Sequence, residues 1–200
     1  MLKINQDKIA NYYDGLVDKY GYDPRACDAS AAKSLEVRYK ALSEVADLTG
    51  KSVLEVGCGF GDLGFYLQQK YTGVRYLGID VSHRMIEEGR KVHPNLSLRV
   101  QNVLDLKKAE GFDVVLAQGI FYLLGDNAET KMHTLVEKMF SLSREALAFC
   151  AISAWTLNKR NDEFYVDPLA LLDWCRKLTT YILLRHDYLP HDVALYLYKR

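Results

Sequence analysis

Glu55, Gly57, Gly59 and Gly61 fall within seven residues of the run VLEVGCGFGDLGFYL, and Asp80 closes the next apolar run, VRYLGID. These types at this spacing suit one kind of ligand. Glu55 sits inside a β-rich apolar stretch, where a carboxylate is costly without an ammonium group or hydrogen-bond donors beside it. The ammonium of a zwitterionic amino acid would meet that need. Asp80 stands at the tip of a second strand, where its carboxylate can accept hydrogen bonds from both hydroxyls of a ribose. The glycines supply backbone freedom and close approach between them. The turn then opens onto a helix N-terminus, whose unpaired N–H groups favour an anionic ligand group. A pyrophosphate would be repelled by the two carboxylates, so the set fits a nucleoside joined to an amino acid better than a dinucleotide.

The pattern E-x-G-C-G-x-G from Glu55 to Gly61, followed by L-G-I-D from Leu77 to Asp80, resembles the class I S-adenosylmethionine-dependent methyltransferases. The resemblance covers nearly the whole chain. It takes in an N-terminal K-Y-G, Arg38, the run FDVVLAQGIF and the closing RHDYLPHD, and is similar to bacterial small-molecule methyltransferases grouped loosely with trans-aconitate enzymes. What it implies is S-adenosylmethionine as cofactor and a small-molecule acceptor. Glu55, Gly57, Cys58, Gly59, Asp62 and Gln118 would then border the methionyl part, with Arg38 reaching its carboxylate bidentately. Asp80 would hold the ribose, and Val81, Met85, Asn102 and Val103 the adenine. Asn102 stands where many members carry an acidic residue, its amide oxygen able to accept the same hydrogen bond, with Asp105 as the second assignment. A competing match remains, since Gly59, Gly61 and Gly64 also spell G-x-G-x-x-G, the pattern of NAD(P)-dependent oxidoreductases. A non-catalytic methyltransferase-like binding subunit is a third reading.

The elements that must position these residues follow from the apolar pattern. Ile9, Tyr12, Tyr13, Leu16 and Val17 lie at helical spacing over residues 5–20, and Leu35, Tyr39, Leu42 and Val45 make a second stripe from about Ala32 to Leu48. These are cap helices over residues 1–50, before a cofactor-binding core over 51–200 in one domain. Tyr12 and Tyr13 are either sheet packing or a lid whose rings face a sulfonium. Strands and helices then alternate, predicting right-handed βαβ units and a Rossmann-like, doubly wound, mostly parallel seven-stranded α/β sheet. Ser82 N-caps a helix that stops at His93, ahead of Pro94. Asp126 or Asn127 caps another helix. FDVVLAQG is a central parallel strand covered on both faces, so Gln118 to Tyr122 face the methyl group and acceptor. The runs TYILLRHD and VALYLYK form an antiparallel pair at the C-terminal end, as class I methyltransferases do.

Composition narrows the field. Twenty-six basic residues balance 26 acidic ones among 200, with no Lys/Arg run, so nucleic acid and anionic membranes are not expected partners. Cys27, Cys58, Cys150 and Cys175 are scattered without metal-ligand spacing and are expected to be reduced thiols. No stretch of about 18 apolar residues or signal-peptide segment appears, and a cytoplasmic location is expected. A carboxylate or thiolate acceptor needs no base, whereas a hydroxyl or amine benefits from one. Candidates are Tyr122, His186 and His191, with Asp187 beside them, the last three being equally suited to an exposed hairpin turn.

Overall fold

The computed structural model describes residues 4–28 and 32–200; residues 1–3 and 29–31 of the expected cap segment lie outside the described residues. Seven strands, β1 (Ser52–Val56), β2 (Arg75–Asp80), β3 (Ser97–Val100), β4 (Phe112–Ala117), β5 (Ser143–Ile152), β6 (Ile182–Arg185) and β7 (Asp192–Tyr198), pair in the order β3-β2-β1-β4-β5-β7-β6. The first five are mutually parallel, and β7 runs antiparallel to both β5 and β6. The chain winds outward from β1 in one direction and from β4 in the other. That reversal leaves a crevice beyond their carboxyl ends.

Strand β4 shows why the sheet is buried. Val114, Val115, Leu116 and Ala117 are all fully buried although successive side chains point to opposite faces, so both faces are covered. Helices α2 (Ala32–Ser43), α3 (Asp62–Lys70) and α4 (His83–Val92) cover one face, setting Leu42, Leu63, Leu67 and Ile86 against Val53, Tyr76 and Leu116. Helices α5 (Ala128–Leu142) and α6 (Pro168–Cys175) cover the other, setting Val136, Met139 and Leu171 among Leu54, Val115 and Leu195. Each fully buried leucine contributes roughly 2 kcal/mol.

Helix α1 (Gln6–Tyr20) lies across the crevice end and packs Val17 on Phe60 and Met85. Asp14 fixes its position. The carboxylate accepts from Ser82 Oγ at 2.5 Å and from the Arg84 N–H at 3.1 Å, placing a negative charge at the N-terminus of α4. Ser82 itself caps that helix, accepting from the Met85 N–H at 3.0 Å.

One expected boundary is corrected, and one expected cap lacks its side-chain bond. Helix α2 ends at Ser43, not near Leu48. Ser43 Oγ bonds back to the Lys40 carbonyl at 2.8 Å, while the Tyr71 and Tyr198 hydroxyls donate to the carbonyls of Ser43 and Val45 at 2.8 and 3.2 Å. Such side-chain bonds compete with helix continuation, and Val45 reaches the core from a turn. At the start of α5, Asn127 occupies the cap position at φ +55° without a side-chain capping bond. Among the described residues no helix is long and apolar enough to cross a membrane.

Candidate active site

The glycine turn joins β1 to α3, with Gly57, Gly59 and Gly61 at φ +72°, +53° and +91°. At Gly57 the need for glycine is also one of space: a Cβ there would stand 2.1 Å from Ile120 Cγ2. The turn's backbone donors are spent inside the chain. Gly57 and Cys58 both donate to the Ile79 carbonyl, at 2.8 and 3.0 Å, and Gly61 donates to the Cys58 carbonyl at 2.9 Å. Gly59 donates to Asp80 Oδ2 at 2.9 Å. The glycine turn's own N–H groups are thus largely used within the chain, while the N-terminus of α3 behind it carries no side-chain cap at Gly61. Asp62 adds a second carboxylate in the first turn of α3. A diphosphate would have to lie against both.

The turn forms one wall of a cleft at the carboxyl ends of β1, β2 and β4. Along one side lie Asp80, Val81, Met85, Asn102 and Val103. Asp80 Oδ1 also accepts from the Ser82 N–H at 2.9 Å. Burial pushes the Asp80 carboxyl up, opposed by the N–H groups of Ser82, Gly59 and Val81. Asn102 Oδ1 caps a 3-10 turn by accepting from the Leu104 N–H at 2.8 Å, leaving one lone pair free. Buried Met85 and Val103 supply apolar surface.

On the turn side, Gly57, Cys58, Gly59, Asp62, Gln118 and Arg38 line the cleft. Cys58 is buried, and burial pushes its thiol well up. Asp62 Oδ1 accepts from the Tyr22 hydroxyl at 2.7 Å and meets His93 Nε2 at 2.8 Å. Gln118 Oε1 is buried and has no donor. Arg38 is not the free fork expected from the sequence: Nε bonds Asp192 Oδ2 and Nη2 bonds Asp192 Oδ1 at 3.2 Å, leaving Nη1 for another anion. Asp192 is a residue sequence reasoning missed. Its signal was a carboxylate at the head of a strand whose alternate positions, Ala194 and Tyr196, are buried.

Glu55 is the expected cofactor residue that does not line the cleft. It is fully buried behind the turn, where Oε2 accepts from the Tyr76 hydroxyl at 2.5 Å, so a phenol partners it in place of the expected ammonium. Burial pushes its carboxyl up to about 8, against the opposing hydrogen bond from Tyr76.

The open half of the cleft is built from α1 and from the loops after β4 and β5. Tyr13 and Tyr122 line it with their hydroxyls bonded to each other, and burial pushes both phenols up. Of the two lid tyrosines, Tyr12 stays off the wall and donates to Asp28 Oδ2 at 3.1 Å. Asp28 and Glu163 line this half as well, and neither was singled out from the sequence. Arg160 stands between their carboxylates, at 3.8 and 3.2 Å. Neither His186 nor His191 lines the cleft. His186 Nε2 pairs with Ser153 Oγ at 2.8 Å against the Trp155 ring, and His191 lies 3.5 Å from Arg38 Nη2.

A doubly wound sheet with a glycine turn and a strand-tip carboxylate, Asp80, walling a cleft at its switch point defines a Rossmann-like α/β protein. A family profile described as a methyltransferase domain matches residues 47–181. The chain belongs to that family and is a class I S-adenosylmethionine-dependent methyltransferase. The Mycobacterium tuberculosis protein Rv1506c is 29% identical over 150 residues, covering 68% of this chain and 86% of that protein. Trans-aconitate 2-methyltransferase of Escherichia coli K12 is 30% identical over 81 residues, covering 40% of this chain and 32% of the enzyme. Among solved structures, magnesium protoporphyrin IX methyltransferase of Synechocystis PCC 6803, crystallised with SAH, superposes with a TM-score of 0.73 at 13% identity. That alignment covers 98% of this chain and 100% of the Synechocystis chain, a likeness of fold.

Proposed function

We propose that the chain methylates a small-molecule acceptor that is apolar and either uncharged or cationic, in preference to an anionic one. The observation that carries this is the charge of the cleft. Ile9, Phe121, Leu124 and Leu135 give the acceptor half an apolar lining, and its charged lining residues there are Asp28 and Glu163. Among the described residues Arg38 is the cationic side chain on the wall, and Asp192 already neutralises it. Arg160 pairs with both Asp28 and Glu163, so the lining carries little net charge, and an acceptor with several carboxylates would find no free cation beyond Arg38 Nη1, which the methionyl carboxylate would take.

S-adenosylmethionine, when bound, supplies a methyl group on a sulfonium, open to in-line displacement. Asp80 takes the ribose hydroxyls, and Val81, Met85 and Val103 pack on the adenine beside the Asn102 amide. Gln118 Oε1, a buried acceptor without a donor, suits an ammonium. Arg38 Nη1 suits a carboxylate. The Tyr13 and Tyr122 phenols stand where they can orient an acceptor hydroxyl or amine, and the apolar wall excludes water, so most of the rate gain comes from alignment.

Calorimetric titration with S-adenosylmethionine, S-adenosylhomocysteine and NADH, on wild type and Asp80→Ala, tests the cofactor assignment. The first two should bind and the variant should weaken them about 100-fold or more, from two lost charge-assisted hydrogen bonds at about 1.5 kcal/mol or more each. NADH binding alone would overturn the reading. A screen for transfer of labelled methyl should then favour apolar amines and phenols over trans-aconitate, and efficient methylation of trans-aconitate would refute the acceptor class. Tight cofactor binding with no turnover on any acceptor would favour a binding subunit.

A further inference from the structure

Two buried acceptor atoms, Glu55 Oε1 and Gln118 Oε1, lack hydrogen-bond donors. They belong to neighbouring strands. Glu55 pairs with Leu116 and Val56 with Ala117, so Gly57 comes beside Gln118 one step on, and the two-residue period sets Glu55 and Gln118 on the same face. That register brings the Gln118 amide beside the Glu55 carboxyl, whose Oε1 is unpartnered while Oε2 takes the Tyr76 hydroxyl at 2.5 Å. Gln118 also lines the cleft, and Glu55 does not.

We propose that Glu55 is a positioning residue that sets which end of the Gln118 amide faces the cleft, so that cofactor binding is coupled to release of one proton. An ionised carboxylate only accepts, so it holds the amide NH2 and turns Oε1 toward the cleft, where it can take the methionyl ammonium. A protonated carboxyl can donate to Oε1 and turns the NH2 outward, which repels an ammonium. This rests on the reading that the methionyl end of the cofactor lies at Gln118.

The surroundings keep the carboxyl protonated near neutral pH, since burial pushes it up to about 8. The titratable groups that face it are Tyr76 from β2, Tyr39 from α2, Cys58 from the turn, Cys27 from the 3-10 turn Pro24–Cys27, Asp62 from α3 and Asp80 at the end of β2. Both phenols and both thiols are themselves pushed upward by burial and stay neutral in this range. His93 stands behind Asp62. With a group titrating near 8, the binding-competent fraction rises from roughly 1% at pH 6.0 to roughly 24% at pH 7.5, which tightens apparent affinity by about 20-fold.

The experiment is calorimetric titration of the full chain with S-adenosylhomocysteine between pH 6.0 and 7.5, below the titration of the ligand's own amine, in two buffers of different ionisation enthalpy. Wild type should tighten about 20-fold across the range and release close to one proton per ligand at pH 6.5. Glu55→Gln should bind with a flat profile, at an affinity near that of wild type at low pH, because its amide can donate to Gln118 Oε1 as the protonated acid does. Tyr76→Phe, which removes the bond favouring the ionised carboxyl, should shift the wild-type profile to higher pH. A flat wild-type profile without proton release overturns the coupling and leaves the cofactor assignment standing. A full pH dependence retained in Glu55→Gln transfers it to another group, His93 first, and also overturns it. Absence of binding at every pH refutes both readings. The proton count is read on wild type and does not depend on a variant folding.

Discussion

Replacing Glu55 by Gln should change how the ligand-free protein responds to pH, and the sign is opposite to that of an ordinary surface carboxylate. Burial raises the folded-state carboxyl from 4.5 to about 8. Between those values the folded chain holds a proton that the unfolded chain has released, so stability falls as pH rises through the window and levels off above it. A shift of 3.5 units at 1.36 kcal/mol each is about 5 kcal/mol. Gln at 55 keeps the shape of the protonated acid and cannot ionise. Urea denaturation of wild type and variant at pH 5, 7 and 9 therefore should give a stability difference that moves in the variant's favour by about 4 kcal/mol from the lowest pH to the highest, the remainder being already expressed at pH 5. Titrations common to both proteins cancel in that difference. Parallel curves over the whole range would show that the carboxyl ionises at its usual pH in the folded chain, and the reasoning from burial would fail.

Two further substitutions probe the geometry around the cleft. Gly57→Ala forces a Cβ to within 2.1 Å of Ile120 Cγ2 at φ +72°, which should cost about 3 kcal/mol in thermal denaturation and abolish S-adenosylhomocysteine binding. Adding Ile120→Ala should recover part of the stability, and no recovery would place the cost in the backbone alone. Asp192→Ala leaves the Arg38 guanidinium, 18% exposed, without its partner and should cost roughly 3 kcal/mol in urea denaturation. A change below about 1 kcal/mol would mean that water or another group already compensates the pair.

The parts of this molecule that were legible in the sequence are those set by local pattern. The period-2 and continuous apolar runs located each strand within a residue or two, because burial on one or both faces dictates side-chain type directly. The cleft wall was legible for a related reason: glycines at required positive φ and a carboxylate at a strand tip are written in the chain itself. What sequence could not give is which polar groups meet. Arg38 and Asp192 are 154 residues apart, and their pairing follows from α2 crossing the β5–β7 side of the sheet. Glu55 was legible as a buried charge needing a partner, yet its partner, Tyr76 on β2, was not singled out from the sequence. The two histidines of the hairpin illustrate the converse, since their chemistry suggested catalysis while the connection between β6 and β7 that carries them keeps both off the cleft wall.

Tyrosine hydroxyls account for much of this long-range pairing, and they also decide how the pH experiments can be read. The chain has 14 tyrosines. Tyr196 and Tyr198 reach from β7 to the carbonyls of Ala41 and Val45, Tyr22 reaches Asp62, Tyr76 reaches Glu55, and Tyr13 bonds Tyr122 across the cleft. A phenol is long enough to span two packed elements and carries both a donor and an acceptor, so it can satisfy a buried carbonyl or carboxylate without introducing charge. That service requires the hydroxyl to stay protonated. Burial raises Tyr13, Tyr22, Tyr76, Tyr122, Tyr196 and Tyr198 above the ordinary phenol value, so these bonds persist throughout the range in which Glu55 titrates. The phenol network is therefore a constant background between pH 6 and 9. A pH dependence of stability or cofactor affinity that disappears with Glu55 can then be assigned to that carboxyl, and not to loosening of the helices that the tyrosines hold against the sheet.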